Sequence, residues 1–512
     1  MRALGTIGSA TLLSRVLGFA RDMVIALVFG AGTTTDAFLV ALRIPNIMRR
    51  LLGEGALSAA IIPVVTEYAG RQSHAELLRM LRALLGATLL VLAVVTALGI
   101  AFAPELVRLV APGFTREPGQ AELGTLLTRV MFPYLVVVAL SALAMGTLHA
   151  HARFFAPALG PAVQNVTIIV CVALLASRVS PAILAPAIGV VLGGLGQLAV
   201  QLPGLSRCGC LVTPSGEVGH PAVRQVGRLL LPAVLGLASV QVNVFVNTLL
   251  ASLLPPGSIS FLYYADRVME LPLGVFGIAL ASAALPTMAK QAAARDLPAL
   301  AGTLGFGLRW SFFIAVPATL GLLILRTPIT RVLFERGQFT PADTLATAEA
   351  LQWFALGLAG MSAARIAAQV FYALQEPMVA VRLGVVSVGA NIIAAFVLMG
   401  PLGHAGLAAA AALASYVNLG TLMWAARRRL GPIGGFAILG AISRTATASA
   451  SLVVVCLGSL WLWPTAPADV VDATWLLGTI VLAGLGFAGS AWCLRAPELA
   501  TIARSLLRRR DV

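Results

Sequence analysis

Long apolar runs succeed one another along almost the whole chain, and each is long enough to cross the hydrocarbon core of a bilayer, which takes about 20 residues of helix. Fourteen can be counted, at about 4–29, 35–66, 83–103, 125–148, 156–177, 182–203, 229–254, 260–286, 305–325, 345–372, 380–400, 404–425, 437–463 and 473–494. They are unbroken and rich in Leu, Ala and Val, which suits helices; a membrane barrel needs short strands of alternating polarity. Only 11% of residues are charged and 59% are hydrophobic, so no stretch is left for a large soluble domain. The fold expected is an all-α, polytopic membrane protein with fourteen transmembrane helices.

The formal net charge of +15 raises nucleic acid as a partner. The basic residues fall mainly in short loops between apolar runs, however, without an aromatic-interleaved surface, so no nucleic-acid role is expected. Membrane orientation accounts for them. With the N-terminus inside, the cytoplasmic loops receive Arg71, Arg79, Arg82, Arg153, Arg207, Arg224, Arg228, Lys290, Arg295, Arg382, Arg427, Arg428, Arg429 and Arg444. The opposite loops hold fewer: Arg108, Arg116, Arg178, Arg326, Arg331 and Arg336. The positive-inside rule then puts both termini in the cytoplasm, and Arg504, Arg508, Arg509 and Arg510 in the tail agree.

A weak internal echo suggests two parallel repeats. The shift that lays Phe38-Leu39 on Phe261-Leu262 also lays Ala56-Leu57 on Ala279-Leu280 and Pro63 on Pro286. Both copies sit in the second helix of a six-helix block, as expected for repeats flanking a central site. The expected organisation is therefore an N-terminal six-helix lobe (1–210), a C-terminal six-helix lobe (211–430) and a segment of two further helices with a basic tail (431–512).

Charges that a lipid-facing helix would not tolerate are the strongest functional signal. The first run carries Arg15, Arg21 and Asp22; the second carries Asp36, Arg43, Arg49, Arg50 and Glu54; the eighth carries Asp266, Arg267 and Glu270. An unpaired Arg at the bilayer centre costs about 2.5–3.5 kcal/mol on insertion scales, so these groups must face water, acidic partners or a ligand. Arg15 and Asp22 are seven apart, as are Asp36, Arg43 and Arg50, which places each set on one helix face. Internal ion pairs explain some of them. A central cationic cavity explains more, because guanidinium stays charged in low dielectric and its planar fork fits phosphate or carboxylate. Gly18, Gly30, Gly32, Pro45, Gly53, Gly55, Pro272 and Gly274 interrupt these same helices, as in transporters with broken helices at mid-membrane.

Other chemistries find no support. Lys290 is the single lysine, so there is no G-x-x-x-x-G-K-[ST] phosphate loop, and the five histidines make no H-E-x-x-H. Cys171, Cys208, Cys210, Cys456 and Cys493 form no CxxC pair. No enzyme activity, resident cofactor or metal is expected. Gln241, Asn243 and Asn247, with Asn391, suit either a cation site or hydrogen bonding between helices.

Ser14-Arg15-Val16-Leu17-Gly18-Phe19-Ala20-Arg21-Asp22, Phe29-Gly30-Ala31-Gly32 and Thr35-Asp36-Ala37-Phe38 resemble the N-terminal signature of the MurJ/MviN family. Pro45-Asn46 with Arg49-Arg50, Glu54-Gly55-Ala56 and the run Tyr263 to Val275 resemble its other strong blocks, and fourteen helices agree. The resemblance implies a lipid II flippase of the multidrug, oligosaccharidyl-lipid and polysaccharide exporter superfamily, in the bacterial inner membrane. Its cargo would be the undecaprenyl-diphosphate-linked peptidoglycan precursor, and cell-wall synthesis proteins would be further partners. It assigns headgroup or diphosphate contacts to Arg15, Arg21, Arg49 and Arg267. It makes Asp36, Glu54 and Glu270 gate or ion-pair partners, to which Asp22 and Asp266 are added as neighbouring acids. The last two helices would form a groove for the lipid tail. Some members bind sodium through an Asp in the seventh helix; here Asn247 stands there, which leaves sodium coupling open. The mechanism expected is alternating access driven by membrane potential. The rival readings are a flippase for an O-antigen or capsule intermediate, a drug or cation antiporter, and a non-transporting scaffold.

Overall fold

The computed structural model describes residues 2–48, 56–274, 278–463 and 469–499. Every regular element among them is helical. In chain order they are α1 Arg2–Phe29, α2 Thr33–Met48, α3 Ala56–Arg71, α4 His74–Ala101, α5 Ala103–Val110, a 3-10 turn Pro112–Arg116, α6 Gln120–Met131, α7 Tyr134–Ala150 and α8 Phe155–Leu175. There follow α9 Leu184–Arg207, α10 Pro221–Ser252, α11 Ser258–Pro272, α12 Ile278–Ala293, α13 Leu297–Phe334, α14 Pro341–Ala373, α15 Pro377–Leu430, α16 Gly435–Trp461 and α17 Asp469–Cys493. Among the described residues, nine helical stretches are long and apolar enough to cross a membrane.

Several helices outrun the apolar window that announces them: α13 has 38 residues and α10 has 32. Hydropathy reports preference for lipid, whereas a helix continues into the interface wherever its backbone ends are capped. Caps are present at these overhangs. Ser73 accepts the Glu76 N–H at the start of α4, and Asp296 accepts the Ala299 N–H at the start of α13. Thr340 and Asp343 form a reciprocal capping box on α14.

The runs at 380–400 and 404–425 form one continuous assignment, α15, yet they are two antiparallel arms. Gly403 leaves helical geometry (φ 54°, ψ −133°), and Ser387 Oγ donates to the Ala414 carbonyl at 2.8 Å. In a straight helix those residues would stand about 40 Å apart. The turn is tight enough that a Cβ on Gly406 would collide with the Leu398 carbonyl. The second run is described as α2 and α3 on either side of residues 49–55, and the eighth as α11 and α12 on either side of 275–277, segments outside the described residues. Under the shift that lays Phe38 on Phe261, the start of α2 falls two residues before that of α11 and the end of α3 one residue beyond that of α12.

Packing divides the chain into two compact units, Met1–Ser260 with Arg336–Phe339, and Phe261–Glu335 with Thr340–Val512. The first has a core of Ile61, Val64, Met80, Leu84, Leu135 and Leu148, against which Cys210 and Ala222 also pack. In this unit α10 lies on α3 and α4. The 336–339 segment is joined to the end of α1, where the Gln338 N–H donates to the Leu27 carbonyl at 2.9 Å. Gly30, at φ +65°, has no room for a Cβ beside Gln338.

The second unit is built on Met288, Leu304, Leu308, Ile366, Val370 and Phe371. Its last two helices, α16 and α17, pack on each other and on α13. Phe313 meets Phe487 with ring centroids 5.1 Å apart, and Trp475 Nε1 donates to Ser459 Oγ at 2.9 Å. Arg331 Nε lies 3.5 Å from Asp472 Oδ2, tying α13 to α17.

Candidate functional site

In the first unit, Arg21 is held on two edges of its guanidinium. Nε and Nη2 donate to Asp22 Oδ1 at 2.9 and 2.7 Å, and Nη1 donates to Asn165 Oδ1 at 3.1 Å. Asn165 stands on α8 and its Nδ2 donates to the Ser14 carbonyl at 3.1 Å, so one amide fixes both the arginine and the turn of α1 that precedes it. Asp22 is buried, which its ion pair with Arg21 makes tolerable in low dielectric. Arg15, seven residues before Asp22, is exposed and has no partner among the described residues. The shared helix face therefore does not give the two a shared environment.

Asn165→Leu leaves a guanidinium donor and the Ser14 carbonyl without their partner. A hydrogen bond to a charged group contributes about 1.5–3 kcal/mol, so a lowered thermal unfolding midpoint is expected for the purified variant. An unchanged midpoint would show that the Asn165 bond contributes nothing.

Asp36 meets backbone. Its Oδ2 accepts the Gly257 N–H at 2.7 Å, and its Oδ1 accepts the Ser260 N–H at 2.8 Å and the Ser260 hydroxyl at 2.5 Å. A carboxylate at the first turn of a helix satisfies N–H groups that have no intrahelical acceptor and complements the helix dipole. Arg43, one face-repeat further along α2, donates from Nη1 to Thr248 Oγ1 on α10. Asn247 Nδ2 reaches Asn243 Oδ1 at 3.4 Å on the same helix. Arg49, Arg50 and Glu54 lie outside the described residues.

In the second unit, Arg267 is the centre of a small half-buried cluster. Nη1 donates to Glu270 Oε2 at 2.8 Å, Nη2 donates to Tyr263 Oη at 3.1 Å, and the guanidinium carbon sits 5.0 Å from the Tyr263 ring centroid. The Arg267 side chain is 34% exposed and Glu270 is 50% exposed. All three residues lie within two turns of α11, held by Tyr264, which is fully buried with its ring 4.9 Å from Phe334. Asp266 is half-buried in the same helix, and Asn391 is fully buried in α15.

Of the residues expected at a site, Arg21 is thus joined to Asp22, and Arg267 to Glu270. Asn165, Thr248 and Ser260 were not foreseen, and nothing in the sequence beyond a polar residue in an apolar run points to them. Tyr263 was legible, one turn before Arg267. Arg309 in α13 and Arg365 in α14 carry the same signal as the named arginines, a charge inside a long apolar helix; Arg309 is half-buried and Arg365 exposed. Among the described residues, no group of three or more His, Cys, Asp or Glu is placed to hold a metal.

Comparison with known proteins adds a second line of observation. The family model described as "Lipid II flippase MurJ" matches residues 25–485. A lipid II flippase MurJ of Burkholderia cenocepacia is 35% identical over 432 residues, covering 84% of each chain. A probable lipid II flippase MurJ of Bdellovibrio bacteriovorus is 33% identical over 502 residues, 97% of this chain and 95% of its own. A solved structure described as "Lipid II flippase MurJ, inward closed conformation" superposes with a TM-score of 0.79 at 24% identity, over 98% of this chain and 99% of that one. An inward-facing multidrug resistance transporter of the MATE family superposes with a TM-score of 0.66 at 13% identity, over 84% of this chain and 98% of its own. At such identities the two structures speak to the fold.

Proposed function

The chain belongs to the lipid II flippase MurJ family, and from that premise we infer that it flips lipid II across the bacterial inner membrane, from the cytoplasmic to the periplasmic leaflet. The observation that carries the physical side of this reading is an exposed Arg15 in the first apolar helix with no partner among the described residues. A long helix carries an uncompensated cation only where an anion or water meets it, and lipid II brings a diphosphate.

Arg15 and Arg21 of the first unit and Arg267 of the second contact the headgroup during the cycle, with Arg49 in the same role. Arginine suits this work because it remains charged in a dry site and presents parallel N–H donors to phosphate oxygens. Tyr263 and Glu270 keep the Arg267 fork extended while it is empty, and release of Glu270 costs little because that carboxylate is half exposed. The movement is alternating access: the headgroup enters from the cytoplasm, the helices rearrange at their glycines and prolines, and the tail stays in lipid. No bond of the cargo is made or broken.

Energy comes from the membrane potential. A diphosphate of about two negative charges moving outward is driven by an inside-negative potential and gains roughly 4–5 kcal/mol per 100 mV. If the arginines neutralise it in transit, the same work appears when the empty cationic carrier resets. Both termini are cytoplasmic, by the asymmetry of loop arginines.

The test is complementation. Cells depleted of their own lipid II flippase are supplied with this chain, and outer-leaflet lipid II is measured with an externally added probe. Restored exposure is expected. Absence of exposure with the chain present in the membrane would favour a different polyprenyl-diphosphate cargo.

A further inference from the structure

Between Glu376 and Asp469 the sequence contains no Asp or Glu, yet this stretch carries Arg382, Arg427, Arg428, Arg429 and Arg444. Its positive charges must find their complement elsewhere. Arg429 does so with Glu376 itself, Nη2 to Oε2 at 3.1 Å. Arg427 and Arg428 are exposed and have no carboxylate among the described residues.

These two arginines are held in place. Leu430 and Ile433 just beyond them are buried in the core of the second unit, and Gly305 of α13 lies against the Ile433 carbonyl. Trp424, one turn earlier on α15, is 55% exposed, and the Arg428 guanidinium carbon stacks 4.0 Å from its ring centroid. Residues three and four apart share a helix face, so Arg427, Arg428 and Trp424 form one surface. The next helix starts at Gly435; its Phe436 is 94% exposed, and Leu439 is exposed one turn on.

A cation with no carboxylate among the described residues, stacked on an exposed indole and flanked by bare aromatic and aliphatic side chains, matches the headgroup level of a bilayer. There Trp sits with its ring in the interface, and Arg meets lipid phosphate. We propose that the end of α15 is a binding site for an anionic phospholipid, with Arg427 and Arg428 on its phosphate and Trp424 and Phe436 against its glycerol and upper chains. A plain orientation signal needs only the charges; the stack on Trp424 and the anchoring of the turn by Leu430 and Ile433 give this site a defined shape. The proposal depends on the chain lying in a membrane and not on its cargo.

The full-length chain, purified and delipidated, is titrated with phosphatidylglycerol or phosphatidylcholine, and bound lipids are counted by native mass spectrometry. Each arginine near an anionic surface contributes about fivefold, so Arg427→Gln with Arg428→Gln lowers the preference for phosphatidylglycerol by roughly 30-fold. Arg108→Gln with Arg178→Gln, which removes the same net charge from exposed positions elsewhere, leaves it in place. Trp424→Leu, which keeps both charges, lowers it several-fold. Equal affinity of the wild type for the two lipids, an unchanged preference in the Arg427/Arg428 variant, or an equal loss in the Arg108/Arg178 control would each overturn the proposal.

Discussion

Arg267→Ala abolishes the appearance of lipid II in the outer leaflet while the protein remains folded and in the membrane. Two charge-assisted bonds to a diphosphate, at about 1.5–3 kcal/mol each, correspond to a loss on the order of 100-fold or more in transport. Folding is spared because Arg267 is 34% exposed and the carboxylate it would abandon, Glu270, is 50% exposed and solvated. Lysine at the same position keeps the charge but not the planar fork or the stack on Tyr263, so Arg267→Lys restores part of the activity. The measurement is accessibility of lipid II to an external probe in depleted cells, with membrane content of each variant checked by blotting. Normal exposure in the alanine variant would remove Arg267 from the mechanism.

Asp36→Ala has the opposite signature, a large loss of stability. Asp36 is 2% exposed and serves three donors, the Gly257 N–H, the Ser260 N–H and the Ser260 hydroxyl. Removing the acceptor strands those donors in a dry site, at a cost on the order of 3–5 kcal/mol. The thermal midpoint of the purified variant falls clearly below that of the wild type, with Asp36→Asn between them because its amide retains one carbonyl acceptor. The resemblance to family gates assigns Asp36 a dynamic role, and a residue that only gates would change transport and leave the midpoint alone. An Asp36→Ala protein with the wild-type midpoint would therefore show that these hydrogen bonds are not what holds the start of α11.

Asn165 and Arg21 lie between these extremes. The arginine is nearly buried, paired to a buried Asp22 and braced by an amide from α8, so Arg21→Ala strands a charge as well as removing a contact. Its loss of transport would mix stability with mechanism. Arg267 is the cleaner probe because Glu270, the carboxylate it pairs with, is half exposed.

The material of the fold was legible along the chain. Transfer of a helix into lipid is a sum of side-chain terms over about 20 neighbouring residues, so apolar windows located the helices without reference to anything distant. The same local sum made Arg15, Arg21, Arg43 and Arg267 conspicuous, since each is a cost that its own window cannot repay. The turn at Gly403 also follows from a local signal, a glycine close to Pro401.

What each charge meets was decided only by tertiary structure. Asp36 and Arg43 share a helix face by spacing, yet one ends on the first turn of α11 and the other on Thr248 of α10. Arg15 and Asp22 share another, yet one is exposed and the other buried. Periodicity gives the direction of a side chain about its own helix axis and says nothing of which helix stands on that side. Hydrogen bonding and ion pairing act over about 3–4 Å, a range set by the packing of segments more than a hundred residues apart in sequence.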